Sequence, residues 1–557
     1  MTGVADGTLH DLEAAPAPAP TLLALGQSLC AEGRTDDAMV IFRHLLALDP
    51  ADQGALRGRV AAHAARGEVL EALDALSLLK DLLPDAGPIM ADVRAQSVAA
   101  VARYNALTES GDIETAEKYA AALVRLVPGA APMLAAALTC NVTLGRTSEA
   151  ARYARALLAL EPGHFAAHAV MADACRETGD LDGELAHRLI TAFAEAPDNH
   201  PLLQLRNQHD LISLMLRRPL TELDRERIGQ LLVKARDIRV EPSDDAEWLL
   251  WEKHYRMMLT AAELARLEEP RPETPEPYLR LTSADGAEMD WAAVRARAEA
   301  LGARAVFFVA ADESYVNLYA RWYVLSVLKY CDVPFMIMVH VIGGADDLPA
   351  IARRVGVEDQ RLVFVGDRFD AGAVTTLCHD APPKGLIPRP VAHFQCVRFQ
   401  RLGALMDRLA LPVFVSDIDL LLQRGVEDLL ARTAGADLVI NENAISISAC
   451  SRLTANLLLL YPTPAAAMFV RYLKAFLGEA LDQPEVSRWI DQIALSFARQ
   501  HLWLHAPGAR IDHFDTQSDI NNVMYKTFQD HPFRFLSLYH GFDTSSLEDA
   551  RVLGDAG

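Results

Sequence analysis

The sequence is poor in cysteine and in positive charge. Its seven cysteines among 557 residues are scattered, and the closest two, Cys378 and Cys396, lie 18 positions apart. This spacing supports neither a Cys-x-x-Cys zinc site nor a disulfide framework, so we expect reduced core thiols. Lysine and arginine number 53 against 75 acidic residues, a formal net charge of −22. Such an acidic protein repels phosphate backbones, so nucleic acid is not an expected partner.

Long apolar runs and glycine-rich phosphate loops are also missing. No stretch approaches the roughly 18 apolar residues of a membrane helix, and residues 1–20 lack the regions of a secretory signal. We therefore expect no membrane span and a cytoplasmic protein. No Gly-x-Gly-x-x-Gly or Walker motif follows an expected strand, which disfavours dinucleotide oxidoreductases and P-loop NTPases. Hydrophobic residues make up 51% of the chain, which suits several globular domains with ordinary cores.

A periodic pattern runs through the first 200 positions. Glycines, alanines and prolines recur in three parallel series with the same spacing, which is longer only between the second and third members: Gly33, Gly67, Gly111, Gly145, Gly179; Ala38, Ala72, Ala116, Ala150; Pro50, Pro84, Pro128, Pro162. Glycine permits a turn between paired helices, alanine lets their axes approach, and proline ends the second helix. Apolar positions such as Phe42, Leu76 and Leu123 supply the face that neighbouring units bury.

The period of about 34 residues resembles that of tetratricopeptide repeats. The resemblance predicts an α-solenoid of helix pairs over residues 21–200, after a flexible leader at 1–20 and with a ten-residue insertion between Pro84 and Pro128. A helical stretch at 201–267 is expected to cap or extend it. Such arrays present a concave surface to peptides or partner proteins; the alternatives are a rigid spacer or a self-association module.

The second half has a different pattern. Proline and acid are concentrated at 268–277, which predicts a linker over 268–286 and a separate domain over 287–545, followed by a tail at 546–557. Short apolar runs then alternate with helical stretches: 305–311, 333–342, 361–365, 411–415, 436–440 and 456–461. This alternation predicts a mostly parallel sheet covered on both faces, with ligands at the carboxyl ends of its strands.

Two carboxylates follow one of these apolar runs. Asp417 and Asp419 stand two residues apart, so in an extended chain both side chains point to one side. Together they suit a hard divalent cation such as Mg²⁺ or Mn²⁺. An isolated Asp-x-Asp also occurs simply at strand ends.

Five segments, in order, resemble glycosyltransferases of the GT-A fold, most closely the retaining family that contains glycogenin and bacterial lipopolysaccharide galactosyltransferases. They are Val306–Tyr315, Phe394–Leu402, Asp417-Ile-Asp419, Trp489–Leu495 and Tyr539-His540-Gly541, and the likeness spans about residues 303–543. The resemblance implies a metal-dependent transfer of sugar from a nucleotide-diphosphate donor, a UDP-sugar by preference. The acceptor is then a protein or a glycan positioned by the repeats.

The same resemblance implies roles for individual residues. The donor-binding residues are expected to be Asp312, Tyr315 and Arg401. The metal, Mn²⁺ or Mg²⁺, is expected on Asp417, Asp419 and His540, and catalysis on Asp491 and Gln492. Asp491 then binds sugar hydroxyls, and Gln492 lies beneath the anomeric carbon in a reaction with retention. Because a neutral amide is a poor nucleophile, a front-face mechanism assisted by the leaving phosphate is easier to defend.

Several alternatives stay open. No lysine follows His540-Gly541, and His513 is a rival metal ligand. Arg401 could equally form a structural ion pair, and Asp491 could cap a helix. At the level of function, the alternatives are a non-catalytic repeat scaffold with a degenerate nucleotide-sugar-binding domain, or a haloacid-dehalogenase-type phosphatase.

Two further motifs have structural interpretations. The apolar interleaving in His501-Leu-Trp-Leu-His505 predicts a strand with the two histidines on one face. Metal binding is disfavoured there, because no glutamate stands between the histidines as a zinc helix requires. The glycosylation pattern at Asn141 is expected inside a repeat helix, where it serves no attachment.

Overall fold

Two units are present in the computed structural model, residues 1–197 and 198–557. The structure describes residues 18–83, 87–193, 201–238, 290–368, 389–443, 446, 448–481, 489–521, 523, 525 and 531–538. The expected linker at 268–286, the tail at 546–557, most of the expected leader and His540 lie outside these residues.

The first unit is a succession of antiparallel helix pairs. Its helices are α1 Ala19–Ala31, α2 Thr35–Leu48, α3 Gln53–Ala65, α4 Val69–Leu82, α5 Met90–Ser110, α6 Ile113–Leu126, α7 Ala131–Thr143, α8 Thr147–Leu160, α9 Phe165–Thr178 and α10 Leu181–Phe193. Helix α1 begins two residues before the expected boundary of the leader. Asn141 lies in α7, as expected.

The repeated glycines and alanines have the positions that the period predicts. The five repeat glycines all have positive φ, between 68° and 81°, at the turns that join paired helices. Only glycine adopts this left-handed geometry at little cost. The alanines Ala38, Ala72, Ala116 and Ala150 are buried where helices approach. The tetratricopeptide-type α-solenoid is thus confirmed. The insertion is accommodated by α5, which has 21 residues where the other repeat helices have 13 or 14.

Helices α11 Pro201–Met215 and α12 Glu222–Asp237 belong to the second unit. The side chain of Gln500 joins their connection to the α/β domain: its Nε2 donates to the carbonyls of Leu216 and Arg218, both at 2.8 Å, and its Oε1 accepts from the Leu220 amide. The connection between α11 and α12 thus satisfies its polar groups on the α/β domain. The cap or extension of the solenoid that the sequence predicts for 201–267 stays a prediction.

The second unit is built on a seven-stranded sheet. Its strands are β1 Ala305–Asp312, β2 Phe335–Ile342, β3 Leu362–Gly366, β4 Val413–Ser416, β6 Leu438–Glu442, β7 Leu453–Leu460 and β8 Ile511–His513, while β5 Leu420–Leu422 pairs separately with β9 Phe535–Ser537. The order in the sheet is β3-β2-β1-β4-β7-β6-β8. Strands β3, β2, β1 and β4 are parallel, and β7 runs antiparallel to β4 and β6.

Helices connect the strands and cover the sheet. They are α13 Trp291–Ala300, α14 Glu313–Tyr330, α15 Leu348–Val355, α16 Arg389–Leu409, α17 Glu427–Arg432, α18 Ala449–Arg452, α19 Pro464–Ala480 and α20 Ile490–His505. The fold class is confirmed as an N-terminal solenoid followed by a GT-A-like α/β domain. None of the described helices is long and apolar enough to cross a membrane.

The strand predicted at His501–His505 is wrong, because these residues form the last turn of α20. The helix is buried on nearly every side from Ile490 to Gln500, whereas Leu504 and His505 in its last turn are exposed. The rings of His501 and His505 both stack on Tyr472 of α19, with centroids 4.5 and 5.5 Å away. Packing between the two helices therefore explains this pair of histidines.

Candidate active site at the end of strand β4

Strand β4 is fully buried and delivers Asp417 and Asp419 at the carboxyl edge of the sheet. The backbone of this turn is held from two sides. The Asp417 amide donates to the Asn456 carbonyl at 3.0 Å, and the Asp419 carbonyl accepts from the Leu538 amide at 2.9 Å. The Asp-x-Asp turn is therefore fixed by β7 and by the chain that follows β9.

Helix α14 holds the residues on either side of the same turn. Ser416 Oγ donates to the buried phenol oxygen of Tyr323 at 3.1 Å. Beyond the turn, Ser326 Oγ accepts from the Leu422 amide, also at 3.1 Å. Tyr323 and Ser326 lie one helical turn apart, so a single helix face clamps both ends of the Asp-x-Asp segment.

Arg398 of α16 joins the two acidic motifs. Its Nη1 hydrogen bonds to Asp417, and its Nη2 donates to Asp491 Oδ2 at 3.3 Å. The Arg398 and Asp491 side chains are only 6% and 8% exposed, whereas Asp417 keeps 34% of its surface. The guanidinium thus brings the first turn of α20 against the end of β4.

Carboxylates outnumber cations in this cluster. Burial and the charge of Asp417 raise the pKa of Asp419 to about 8. Burial, against the attraction of Arg398, raises the pKa of Asp491 to about 6. In the part of the chain that the structure describes, Arg398 is the cation that interacts with all three carboxylates, so further positive charge would relieve their repulsion.

The first turn of α20 begins with backbone strain. Trp489, at its N-cap, has φ 74° and ψ 10°, the left-handed region that non-glycine residues rarely occupy. Such a conformation costs on the order of 1–3 kcal/mol and persists where the surroundings impose it. Asp491 and Gln492 follow Trp489 in the first turn of α20. The backbone N–H of Gln492 donates to Asp491 Oδ1 at 2.9 Å. Gln492 is partly buried.

Two donor-binding candidates lie beside the Asp-x-Asp. Asp312 ends β1 and caps α14, accepting from the Tyr315 amide at 3.0 Å and from Ser314 Oγ at 2.6 Å. Burial, reinforced by the charge of Asp419, raises the pKa of the partly buried Tyr315 to about 12. The structure therefore brings Asp312, Tyr315, Asp417, Asp419, Asp491 and Gln492 to one edge of the sheet.

The third candidate, Arg401, contacts a different acid. Its Nη2 donates to Asp367 Oδ2 at 3.4 Å, beyond the end of β3. Its side chain remains 33% exposed. The ion pair that the sequence left open as an alternative is thus present, and the partial exposure of Arg401 is compatible with ligand contact as well.

The structure describes two of the three expected metal ligands. Within the described ranges, no group of three or more His, Cys, Asp or Glu side chains could hold a metal ion. The rival ligand His513 lies at the end of β8, where its Nε2 donates to Glu442 Oε2 at 2.6 Å. The oxygen donors and excess negative charge at Asp417 and Asp419 nevertheless fit a hard divalent cation.

Sequence reasoning missed Arg398. The family resemblance instead assigns the conserved arginine before the Asp-x-Asp to Arg401, three residues later. One helical turn separates the two, so both belong to the same face of α16. The sequence feature that could have identified Arg398 is this pair of arginines three residues apart. Only the packing of α16 shows that Arg398 is the one that contacts Asp417.

Comparison with known proteins gives structural neighbours for each part of the chain. No protein-family model matches the chain, and no curated protein matches it. A solved structure of Pseudomonas aeruginosa pilF has 15% identity over 39% of this chain and 90% of its own, with a TM-score of 0.21. The galactosyltransferase LgtC in complex with donor and acceptor sugar analogues has 12% identity over 38% of this chain and 74% of its own, with a TM-score of 0.27.

Mouse xyloside xylosyltransferase 1 in its apo form has 11% identity over 38% of this chain and 85% of its own, with a TM-score of 0.25. The neighbours are thus tetratricopeptide proteins for the N-terminal helices and glycosyltransferases for the α/β domain, at low identity and partial coverage.

Proposed function

We propose that the second unit is a metal-dependent glycosyltransferase, which transfers a sugar from a nucleotide-diphosphate donor to a protein or glycan. The carrying observation is the joining of Asp417 and Asp491 by Arg398 at the carboxyl edge of a largely parallel sheet. This edge is where ligands bind in open α/β sheets. The order of motifs along the chain supports the same reaction class.

Asp417 and Asp419 are proposed to hold Mn²⁺ or Mg²⁺. When bound, the cation supplies positive charge to the diphosphate leaving group. His540 is proposed as the third ligand. Its candidacy is supported by Leu538, two residues earlier, whose amide is bonded to the Asp419 carbonyl at 2.9 Å. The contact of His513 with Glu442 supports choosing His540 over that rival.

The remaining residues bind and orient the donor. Asp312 and Tyr315 flank the Asp-x-Asp and are proposed to contact the nucleotide, with UDP preferred. Arg401 is proposed to bind the diphosphate, because guanidinium groups match phosphate oxygens. Arg398 is too buried for this task and instead keeps Asp417 and Asp491 at a fixed separation.

Asp491 and Gln492 are the proposed catalytic residues. A carboxylate on the first turn of α20 can accept hydrogen bonds from sugar hydroxyls, and the adjacent amide of Gln492 can contact the reacting sugar. Gln492 has no basic group, so we assign it orientation rather than proton transfer or nucleophilic attack. From the family resemblance alone, we propose that the reaction retains configuration at the anomeric carbon.

The solenoid is proposed to position the acceptor or to mediate self-association. Solenoids of helix pairs present extended concave surfaces, which suit a polypeptide or a long glycan. The repeats contain none of the proposed catalytic residues, so removing their binding surface should affect acceptor use and leave donor hydrolysis intact.

The test is release of nucleoside diphosphate from a panel of UDP-, GDP-, ADP-, CDP- and TDP-sugars, with Mn²⁺, Mg²⁺ or a chelator. We expect one donor to be hydrolysed in a metal-dependent way by the native chain. The double variant Asp417→Ala/Asp419→Ala should lose this activity. Asp346→Ala is the matched control, because Asp346 is 74% exposed and pairs only with Arg368 among the described residues.

Metal-dependent release that is retained in the double variant would reject the assigned metal ligands. Absence of release and of metal-dependent nucleotide binding in folded native protein would reject the transferase and leave the non-catalytic scaffold.

A further inference from the structure

A chain of three polar side chains links strand β2, the residue after β3, and helix α16. His340 Nε2 donates to Asp367 Oδ2 at 2.6 Å, and Arg401 Nη2 donates to the same oxygen at 3.4 Å. His340 and Asp367 are each 6% exposed, while Arg401 is 33% exposed. The chain therefore runs from a buried imidazole, through a buried carboxylate, to a partly exposed guanidinium.

The central carboxylate is fixed by its backbone. Asp367 Oδ1 accepts from the Gly343 amide at 2.9 Å. The Asp367 carbonyl accepts from the Ala345 amide at 3.0 Å, so the loop after β2 is tied to the end of β3. A Cβ on the adjacent Gly366 would lie 3.0 Å from the Ala345 nitrogen, which shows how closely the two segments approach. Asp367 thus has little freedom to move.

Arg398 and Arg401 of α16 bind different carboxylates. Arg398 is buried and hydrogen bonds to Asp417, at the end of β4, and to Asp491, in the first turn of α20. Arg401, three residues later, is attached to Asp367 beyond β3 and keeps a third of its side chain exposed. Strands β3 and β4 are parallel members of one sheet, separated by β2 and β1, so both arginines stand over the same carboxyl edge.

We infer that His340 and Asp367 are positioning residues that hold Arg401 against the diphosphate of the donor. This inference rests on the proposed function and deepens it. A long arginine side chain loses much conformational freedom when it binds phosphate, and a prior ion pair to a rigid carboxylate reduces that loss. The imidazole N–H in turn fixes the carboxylate oxygen that Arg401 contacts.

The first experiment measures affinity by calorimetry. UDP, GDP, ADP, CDP and TDP are titrated into the native chain with Mn²⁺, and the tightest binder is used with the variants. Asp367→Asn keeps the shape and removes the charge, and we expect its Kd to rise about tenfold, the effect of losing one charged hydrogen bond. Asp346→Asn, which breaks an exposed pair with Arg368, is the matched control and should leave Kd unchanged.

A double-mutant cycle separates positioning from a general structural effect. If Asp367 acts through Arg401, the double variant Asp367→Asn/Arg401→Met binds no more weakly than Arg401→Met alone. Losses that multiply in the double variant would overturn the inference, as would an unchanged Kd in Asp367→Asn.

Variants of His340 provide a second route if Asp367→Asn fails to fold. His340→Gln retains an N–H donor and should stay within about twofold of the native Kd, whereas His340→Leu removes the donor and should approach a tenfold loss. Equal affinity in the two variants would contradict the inference. A native chain that binds no nucleotide of the panel would instead contradict the proposed function, so the two failures are distinguishable.

Discussion

The ion pair between Arg398 and Asp491 offers a direct test of how the site is held together. In Arg398→Met, Asp491 keeps its buried position, with 8% of its side chain exposed, and loses its guanidinium partner. Removing one member of a buried pair typically costs about 3–5 kcal/mol, because the other charge stays desolvated. Asp417 is 34% exposed and contributes little, since water screens it. We therefore expect a loss of about 3 kcal/mol in the free energy of unfolding.

The assay is urea unfolding followed by tryptophan fluorescence. All six tryptophans lie after residue 198, so this signal reports the second unit alone. Adding Asp491→Asn to Arg398→Met should restore about 2 kcal/mol, because the buried charge is then gone. Arg304→Met is the control: its pair with Glu427 is 54% and 60% exposed, and its loss should cost under about 0.5 kcal/mol. Additive effects of the two buried substitutions would refute the reasoning.

Three further predictions concern packing, acid stability and the Asp-x-Asp turn. A Cβ at Gly58 would lie 2.3 Å from the buried ring of Phe42, so Gly58→Ala should destabilise the solenoid by about 2 kcal/mol, measured by far-ultraviolet circular dichroism. Burial raises the pKa of Glu442, but its cationic neighbours outweigh that and lower the pKa to about 2. Its stabilising effect is therefore present above pH 4.5 and lost as the pH falls toward 2, so Glu442→Gln should cost about 3 kcal/mol at pH 7 and little at pH 2.5, in urea titrations. Tyr323→Phe removes the acceptor of the Ser416 hydroxyl and should cost about 1 kcal/mol in the same assay, with weaker Mn²⁺-dependent nucleotide binding.

Each of these has a control or a contradicting result. Gly129→Ala, where no atom lies within 4 Å of the added Cβ, should leave the solenoid unchanged. A cost for Glu442→Gln that stays constant from pH 7 to 2.5 would contradict the assigned pKa. Nucleotide binding that is unaltered in Tyr323→Phe would show that α14 does not position the turn.

The repeats and the strands were predictable from the sequence because their signals are local. Glycine suits a left-handed helix turn, and proline cannot continue a helix, wherever the unit is placed. The apolar run predicted the strand that ends at Ser416. The sequence also predicted that Asp417 and Asp419 follow the end of this strand.

The features that the sequence did not predict depend on packing between distant parts of the chain. Alternation over only five residues in His501–His505 is too short to distinguish a strand from the end of a helix, which is what these residues form. The choice between Arg398 and Arg401 depended on the rotation of α16, which its neighbours determine. The attachment of Leu216–Leu220 to Gln500 joins distant parts of the chain, beyond any local pattern.

The pairing of β5 with β9 has a consequence for the order in which the protein matures. The turn that carries Asp417 and Asp419 is followed at once by β5, whose only paired strand in the described chain is Phe535–Ser537. The whole stretch from Gln423 to Arg534 must be synthesised after β5 before that partner exists. The solenoid helices, from Ala19 to Phe193, are therefore all synthesised well before the chain can form the strand pair that follows the Asp-x-Asp turn.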